Sequence, residues 1–328
     1  PCVCIVGGIP KWQQCEPIRN TGADVVVATP GRLQDLCDEG ALDLSQVKML
    51  VLDEADRMLD QGFIIPVRNL VKAMPKTGRQ TACFSATWPT EMDRLSADIM
   101  SADRITIRIG KEGEIDGEDL LKANDDITQI VEVMQNDRFK TKRMMEILNQ
   151  HKGEKTLIFG LYKKEVAHLE QYLHRNGFPN TVALQGDMTQ AARSKSIEDF
   201  KADLVGPLVA TDVAGRGLDV KGVTLVINYT FPLTVEDYVH RCGRTGRAGT
   251  KGKAITFFNV EGNHKEKEHA FNLIRVLEGS KQNVPPALQE LNKTTFCSTK
   301  KKKHAVYGDF FKDEAEMKAL AAKKGHTT

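Results

Sequence analysis

Short apolar runs of strand length recur along the first third of the chain, at Cys2 to Val6, Asp24 to Ala28, Lys48 to Leu52, Thr81 to Phe84 and Ile105 to Ile109. Between them, apolar residues return at helical spacing over Pro30 to Asp38, Ile64 to Met74 and Thr90 to Met100, with Gly40 closing the first and Pro75 following the second. Strand and helix in alternation predict a parallel α/β sheet with right-handed crossovers. From Gly110 to Asp126 the pattern lapses into a polar, acidic, glycine-bearing stretch that reads as a linker. Periodicity then resumes, with strands predicted near Ile127 to Met134, Lys155 to Phe159, Thr181 to Leu184, Pro207 to Ala210, Leu225 to Tyr229 and Ala254 to Phe258. Helices are predicted between them over Phe139 to Gln150, Lys163 to Asn176, Gln190 to Phe200 and Val235 to Cys242.

The 328 residues exceed the size at which one core stops growing. The architecture expected is therefore two α/β lobes, residues 1–110 and 127–277, on either side of a flexible linker at 111–126. Order weakens after about Leu277, and residues 278–328, with the basic run Lys300 to Lys303, are expected to form a mobile tail.

Net charge is only +2, so affinity for a polyanion has to come from local patches; overall basicity neither supports nor excludes RNA. Seven cysteines show no paired zinc-type spacing and suit reduced thiols in an intracellular, reducing compartment. No apolar run has the length of a membrane span, and no secretory signal opens the chain. Pro1 is followed at once by strand-like residues, which reads as a chain cut inside a domain.

Candidate chemistry starts at the end of the run Val47 to Leu52, where three carboxylates follow abruptly: Asp53, Glu54 and Asp56. In an open parallel sheet ligands bind beyond the carboxyl ends of the strands, although an acidic turn capping the next helix would look the same. Thr29-Pro30-Gly31-Arg32 follows a strand and opens a helix; the cap explains Thr29 and Pro30, and Arg32 adds a charge suited to phosphate. Ser85-Ala86-Thr87 ends a strand on the same sheet edge, to bond the carboxylates or to cap the following helix. Gln190 and Arg193 share one helical face, with solvent or a phosphate before them. Ala210 to Asp219 is a strand end followed by a glycine-rich polar turn. In His240-Arg241-Cys242-Gly243-Arg244-Thr245-Gly246-Arg247, four basic groups crowd two glycines, which is repulsive unless an anion is present.

In order and spacing these six segments resemble the DEAD-box family of ATP-dependent RNA helicases, from Gly7-Gly8 to about Phe258. The resemblance implies two RecA-like lobes. Gln185, Gly215 and Cys242 depart from residues common in the family, and none of these changes removes a catalytic group. The family's Gly-x-x-x-x-Gly-Lys-Ser/Thr phosphate loop and adenine-reading glutamine motif do not occur in these residues. The first lobe is accordingly expected to be incomplete.

The resemblance further implies ATP and Mg2+ as cofactors, with Asp53 holding the metal through water and Glu54 activating the attacking water. Asp56 would join Ser85, Thr87 or His240; Arg244 and Arg247 would serve as arginine fingers, and Asp219 would contact the ribose. RNA would lie against Gly8, Thr29, Arg32, Gln190, Arg193 and Thr211 through its sugar-phosphate backbone, independent of base sequence. A monomeric ATPase that remodels short RNA duplexes or ribonucleoproteins is the activity expected. The tail resembles those of ribosome-biogenesis helicases, which implies pre-ribosomal RNA particles as partners and a nuclear or nucleolar location. The alternative is a non-catalytic RNA-binding scaffold that keeps the lobes without the nucleotide site. Without the phosphate loop, residues 1–328 alone are expected to show little ATPase activity; robust RNA-stimulated hydrolysis by this chain, read as phosphate release, would refute that.

Overall fold

The computed structural model describes residues 1–60, 62–85, 88, 90–107, 124–215, 220–247, 249–260 and 266–296. The chain divides into two compact units, with the boundary inside 108–123.

In the first unit, β1 (Cys2–Ile5) lies parallel to β2 (Val25–Ala28), joined by α1 (Lys11–Thr21). After α2 (Pro30–Asp38) comes a second parallel pair, β3 (Met49–Leu52) with β4 (Gln80–Cys83), connected through α3 (Ala55–Asp60) and α4 (Ile64–Lys72) and followed by α5 (Thr90–Ile99). In β1 the alternation is plain: Val3 and Ile5 are buried, Cys2 and Cys4 exposed. Ile5 joins Cys15 and Leu36 in one core, while Leu52 packs with Ala55, Ile64, Met92 and Leu95 in another. Val25, Val27, Met49 and Val51 are each at least half exposed, so these apolar runs are covered on one face only. The strand expected over Ile105 to Ile109 is not formed at residues 105–107, where Ile105 and Ile107 stand in solvent and no strand among the described residues pairs them; 108 and 109 lie outside the described residues.

The second unit is a six-stranded parallel sheet in the order β5-β10-β9-β6-β8-β7. Its strands are β5 (Ile127–Met134), β6 (Thr156–Phe159), β7 (Val182–Leu184), β8 (Leu208–Ala210), β9 (Leu225–Asn228) and β10 (Gly252–Asn259). The helices are α6 (Lys140–Gln150), α7 (Lys163–Arg175), α8 (Gln190–Lys201), the single turn α9 (Asp212–Gly215), α10 (Val235–Cys242), α11 (Ala270–Gly279) and α12 (Pro286–Phe296). Strands β6 and β9 are buried along their whole length. Successive residues fall alternately into two cores: Leu157, Phe159, Val226 and Phe258 on one face, Ile158, Leu225, Ile227 and Phe257 on the other. A sheet covered on both faces explains the unbroken apolar runs that betrayed these strands.

Helix α12 corrects the expectation of a tail beginning at 278. Pro286 occupies the first helical position, and Leu288 is fully buried with Leu291 packed beside it, so the apolar i,i+3 pair anchors this helix to the unit. Residues 297–328, including the basic run, lie outside the described residues. Among the described residues no helix is long and apolar enough to cross a membrane.

A buried polar cluster closes one end of β10. Glu266 is 1% exposed and accepts the Asn259 amide at 2.5 Å, the Asn259 side chain donates to Asp137 at 2.7 Å, and Asp137 pairs with buried Lys140 at 2.6 Å. Burial pushes the Glu266 carboxyl up to about 7, with the Lys140 charge opposing. The folded state therefore binds this proton more tightly than the unfolded state does. The stability it contributes is full below the ordinary value of 4.5 and is lost as pH rises through 7, a swing of about 3 kcal/mol. Glu266→Gln is expected to flatten this slope and to melt above the parent protein once pH exceeds 7, as thermal unfolding across pH would show.

Candidate functional site

In the first unit the candidate side chains Asp53, Glu54, Asp56 and Ser85 gather at the carboxyl ends of β3 and β4. The Phe84 amide donates to the Leu52 carbonyl at 2.7 Å, and the Ala55 amide donates to the Phe84 carbonyl at 3.1 Å. The Asp56 amide donates to Ser85 Oγ at 3.2 Å. Ser85 thus couples the two strand ends through the main chain. Within the turn, Glu54 adopts φ +50°, a left-handed conformation that costs a non-glycine residue about 1–3 kcal/mol. Its amide donates to Asp53 Oδ1 at 3.0 Å, and its carbonyl accepts from Arg57 at 2.9 Å.

Three neighbouring carboxylates consequently occupy three environments: Asp53 exposed, Glu54 partly exposed, Asp56 buried. Burial, with the Asp56 charge adding, pushes the nearby Cys83 thiol up to about 11, so it stays protonated. Thr87 lies outside the described residues.

A second group forms at the ends of β1 and β2. Gly8 takes φ +80°, and the loop it shapes is held at the Ile9 carbonyl, which accepts from Arg32 Nη1 at 2.6 Å and from Gln14 Nε2 at 2.9 Å. Gln14 Oε1 accepts the Val6 amide at 2.7 Å. Thr29 is the N-cap of α2 by its backbone, with Pro30 in the first helical position, but its side chain makes no capping bond. Gly8, Thr29 and Arg32 are therefore brought together, with Arg32 spent partly on the loop. Sequence reasoning missed Gln14, whose signal was a lone polar residue destined for the apolar side of a weakly amphipathic helix containing Pro17.

In the second unit the organiser is Arg241, 2% exposed. Its Nε and Nη2 donate to both Asp212 oxygens at 2.5 and 2.6 Å, Nη1 donates to the Thr230 carbonyl at 2.6 Å, and the guanidinium lies 5.1 Å above the Phe159 ring. The anion demanded by one of the four crowded basic groups is thus Asp212, supplied by the fold. Arg244 and Arg247 each anchor Nε on the carbonyl four residues earlier, His240 at 3.2 Å and Gly243 at 2.9 Å. Between them Thr245 is buried and donates to the Val223 carbonyl at 2.6 Å, and Gly246 takes φ +65° where a Cβ would meet Ile127 at 2.4 Å. His240 lies on the last turn of α10, half-buried.

Arg193 reaches from α8 to the Ala214 carbonyl at 2.9 Å, and burial pushes its guanidinium down from the ordinary arginine value. Gln190 opens the same helix, half-buried. Thr211 is 7% exposed, its hydroxyl accepting the Ala214 amide at 3.4 Å. Asp219 lies outside the described residues. Arg193, Thr211, Asp212 and Arg241 therefore meet around the single turn α9. Among the described residues no group of three acidic, histidine or cysteine side chains forms a ready metal cage.

Comparison with known proteins agrees with this geometry. Residues 1–95 match the DEAD/DEAH box helicase model, and residues 139–249 match the helicase conserved C-terminal domain. The chain belongs to the DEAD/DEAH box helicase family. It is 48% identical over 315 residues to the ATP-dependent RNA helicase DBP3 of Kluyveromyces lactis and 47% identical over 317 residues to that of Saccharomyces cerevisiae. These alignments cover 94% and 95% of this chain but 59% and 57% of the relatives, so the chain spans under two thirds of their length. Among solved structures it is similar to Mss116p bound to ssRNA and AMP-PNP, at TM-score 0.70 and 26% identity, covering 92% of this chain and 61% of that one. It is also similar to S. cerevisiae Dbp5 bound to RNA and ADP BeF3, at TM-score 0.70 and 27% identity, covering 89% and 73%. These neighbours share the two-lobed α/β fold expected from the sequence.

Gly215 is packed against Phe159: a Cβ there would lie 2.7 Å from the ring. Gly215→Ala is expected to cost about 1–3 kcal/mol through overpacking. Adding Phe159→Leu should return part of that loss, as a double-mutant cycle by denaturant unfolding would read.

Proposed function

We propose that this protein is an RNA-stimulated ATPase that remodels short RNA duplexes or ribonucleoproteins, with residues 1–110 serving the nucleotide and 127–277 acting as the helicase C-terminal lobe. The observation that carries the reading is the turn after β3. A conformationally expensive Glu54 sits between an exposed Asp53 and a buried Asp56 whose amide is tied to Ser85. Strain held at a strand end by main-chain bonds is a mark of a functional site.

In this reading Asp53, one outward carboxylate with Oδ1 engaged by the Glu54 amide, suits a divalent cation that keeps most of its water. Bound Mg2+ supplies charge neutralisation at the phosphate oxygens of ATP. Glu54 orients the attacking water and accepts its proton. Asp56 joins Ser85, Thr87 or His240 and keeps the turn in register. Arg244 and Arg247, their Nε atoms fixed on carbonyls at the end of α10, direct charge at the transferring phosphoryl group, a contribution of about 10^3–10^5 in rate in related transfers. Asp219 holds the ribose.

RNA is gripped through its backbone by Gly8, Thr29 and Arg32 in one unit and by Gln190, Arg193 and Thr211 in the other. Relatives named as ATP-dependent RNA helicases and neighbours solved with RNA support this. Gly8 and Thr29 offer exposed backbone at strand ends, whereas Arg32, Arg193 and Thr211 reach the RNA through the loops they hold. The run Lys300 to Lys303 supports a nuclear or nucleolar location and work on pre-ribosomal particles.

In the complete gene product, Glu54→Gln is expected to lower RNA-stimulated ATP turnover by about 10^2–10^4. The same variant should retain RNA in the presence of ATP, as filter binding would report. Turnover equal to that of the parent protein would sink the assignment.

A further inference from the structure

Strand β5 is an edge of the six-stranded sheet, paired only with β10. The β10 amides of Gly252 and Val260 bond the carbonyls of Asp126 and Met134, so even-numbered positions of β5 face β10 and odd-numbered ones face outward. At Gln129 the outward amide is taken by Gln282 Oε1 at 3.0 Å. Val131 is only 6% exposed, and among the described residues nothing takes the outward amide of half-buried Val133.

Beside Val133, between β5 and α6, lies a cavity of about 280 Å3. Val133, Met134 and Phe139 give it an apolar wall, and Phe139 is 62% exposed. Across it, Arg143 binds Glu132 at 2.8 Å and Glu146 at 3.1 Å, which raises its pKa further. Lys142 on the rim and Arg138 beside Phe139 have no acidic partner among the described residues.

We infer that this groove binds an extended peptide segment of a partner protein, which adds a strand along β5, places one aromatic or aliphatic side chain in the cavity and sets acidic neighbours against Arg138 and Lys142. The outward amide of Val133 at the end of this edge gives affinity to a strand whatever its sequence, and the cavity gives the choice of side chain. An exposed aromatic in a socket bordered by charge is the composition of an interface anchor. The apolar wall of Val133, Met134 and Phe139 beside an outward main-chain amide suits a peptide side chain and its backbone better than a phosphate backbone, so the observations favour a peptide over nucleic acid. This inference does not rest on the proposed ATPase activity, since it uses none of the residues to which that function is assigned.

The test is selection of a random dodecapeptide display library on the full 328-residue chain, followed by fluorescence anisotropy with the enriched peptides. Enriched sequences are expected to carry one large apolar residue flanked by Asp or Glu. Phe139→Asp and Lys142→Glu should each weaken them more than about tenfold. Val133→Pro, which removes one outward amide that an edge strand can spare, should do likewise. Phe139 and Lys142 are exposed, so those two variants are expected to keep the parent melting curve, and they decide the matter if Val133→Pro fails to fold. Failure of any peptide to enrich, or equal binding to the Phe139→Asp variant, would overturn the inference. Loss of affinity for a fluorescent oligouridylate in Phe139→Asp, with peptide binding unchanged, would overturn it in favour of nucleic acid.

Discussion

A guanidinium cannot be taken out of water without an anion and a full set of acceptors, and the second unit is arranged around meeting that demand for Arg241. Asp212 supplies both oxygens, the Thr230 carbonyl takes the remaining arm, and Phe159 covers the face. Each partner comes from a different element: α9, the loop after β9, and the end of β6. One buried ion therefore fixes where α10 ends relative to three strand ends. From that fixed end Arg244 and Arg247 project, each tethered at Nε to a carbonyl one turn back. Removing one member of such a pair leaves a buried charge uncompensated, which costs about 3–5 kcal/mol, so the pair is better regarded as a positioning device than as a source of net stability.

The first unit achieves positioning by a different route. Its strands are four residues long and paired two by two, and one face of β2 and β3 remains open. Little burial energy is available there to hold side chains in place. Main-chain bonds do the work instead: the β3 turn is sewn to β4 through the Phe84 carbonyl and Ser85 Oγ, and the Gly8 loop is pinned at the Ile9 carbonyl by Gln14 and Arg32. The left-handed Glu54 persists because those bonds over-determine it.

The sequence made legible whatever depended on periodicity and on charge against pattern. The two strand pairs of the first unit, the six-stranded sheet of the second and the position of the carboxylates beyond β3 follow from short apolar runs that stop abruptly. The strand expected at Ile105 to Ile109 is not formed at residues 105–107, and alternation alone cannot reveal whether a partner strand is there to receive it. Helix α12 was missed because its apolar stripe is only Leu288 and Leu291 amid polar residues, too thin to register as a period. In the arginine-rich motif, charge crowding was visible, but that Asp212 answers Arg241 across 29 residues is a tertiary fact. Gln14 gave only the faint signal of a polar residue on the apolar side of its helix, since a buried polar residue is known by its partners and those are backbone groups.

Phe159 connects these strands of argument. Its ring is the surface on which Arg241 lies, and it is also the neighbour that excludes any Cβ at Gly215. A larger residue at 215 would push the ring, and the ring would push the guanidinium off the axis that Asp212 and Thr230 define. The room at position 215 is therefore set by the size of Phe159, in a turn that also receives Arg193 at the Ala214 carbonyl. Substitutions at 159, 215 and 241 should be strongly non-additive, because they share one volume and one set of hydrogen bonds. Close packing of this kind makes the unit's strand ends respond together: a change of one methyl beneath the turn reaches the arginines above it through contacts that have no slack.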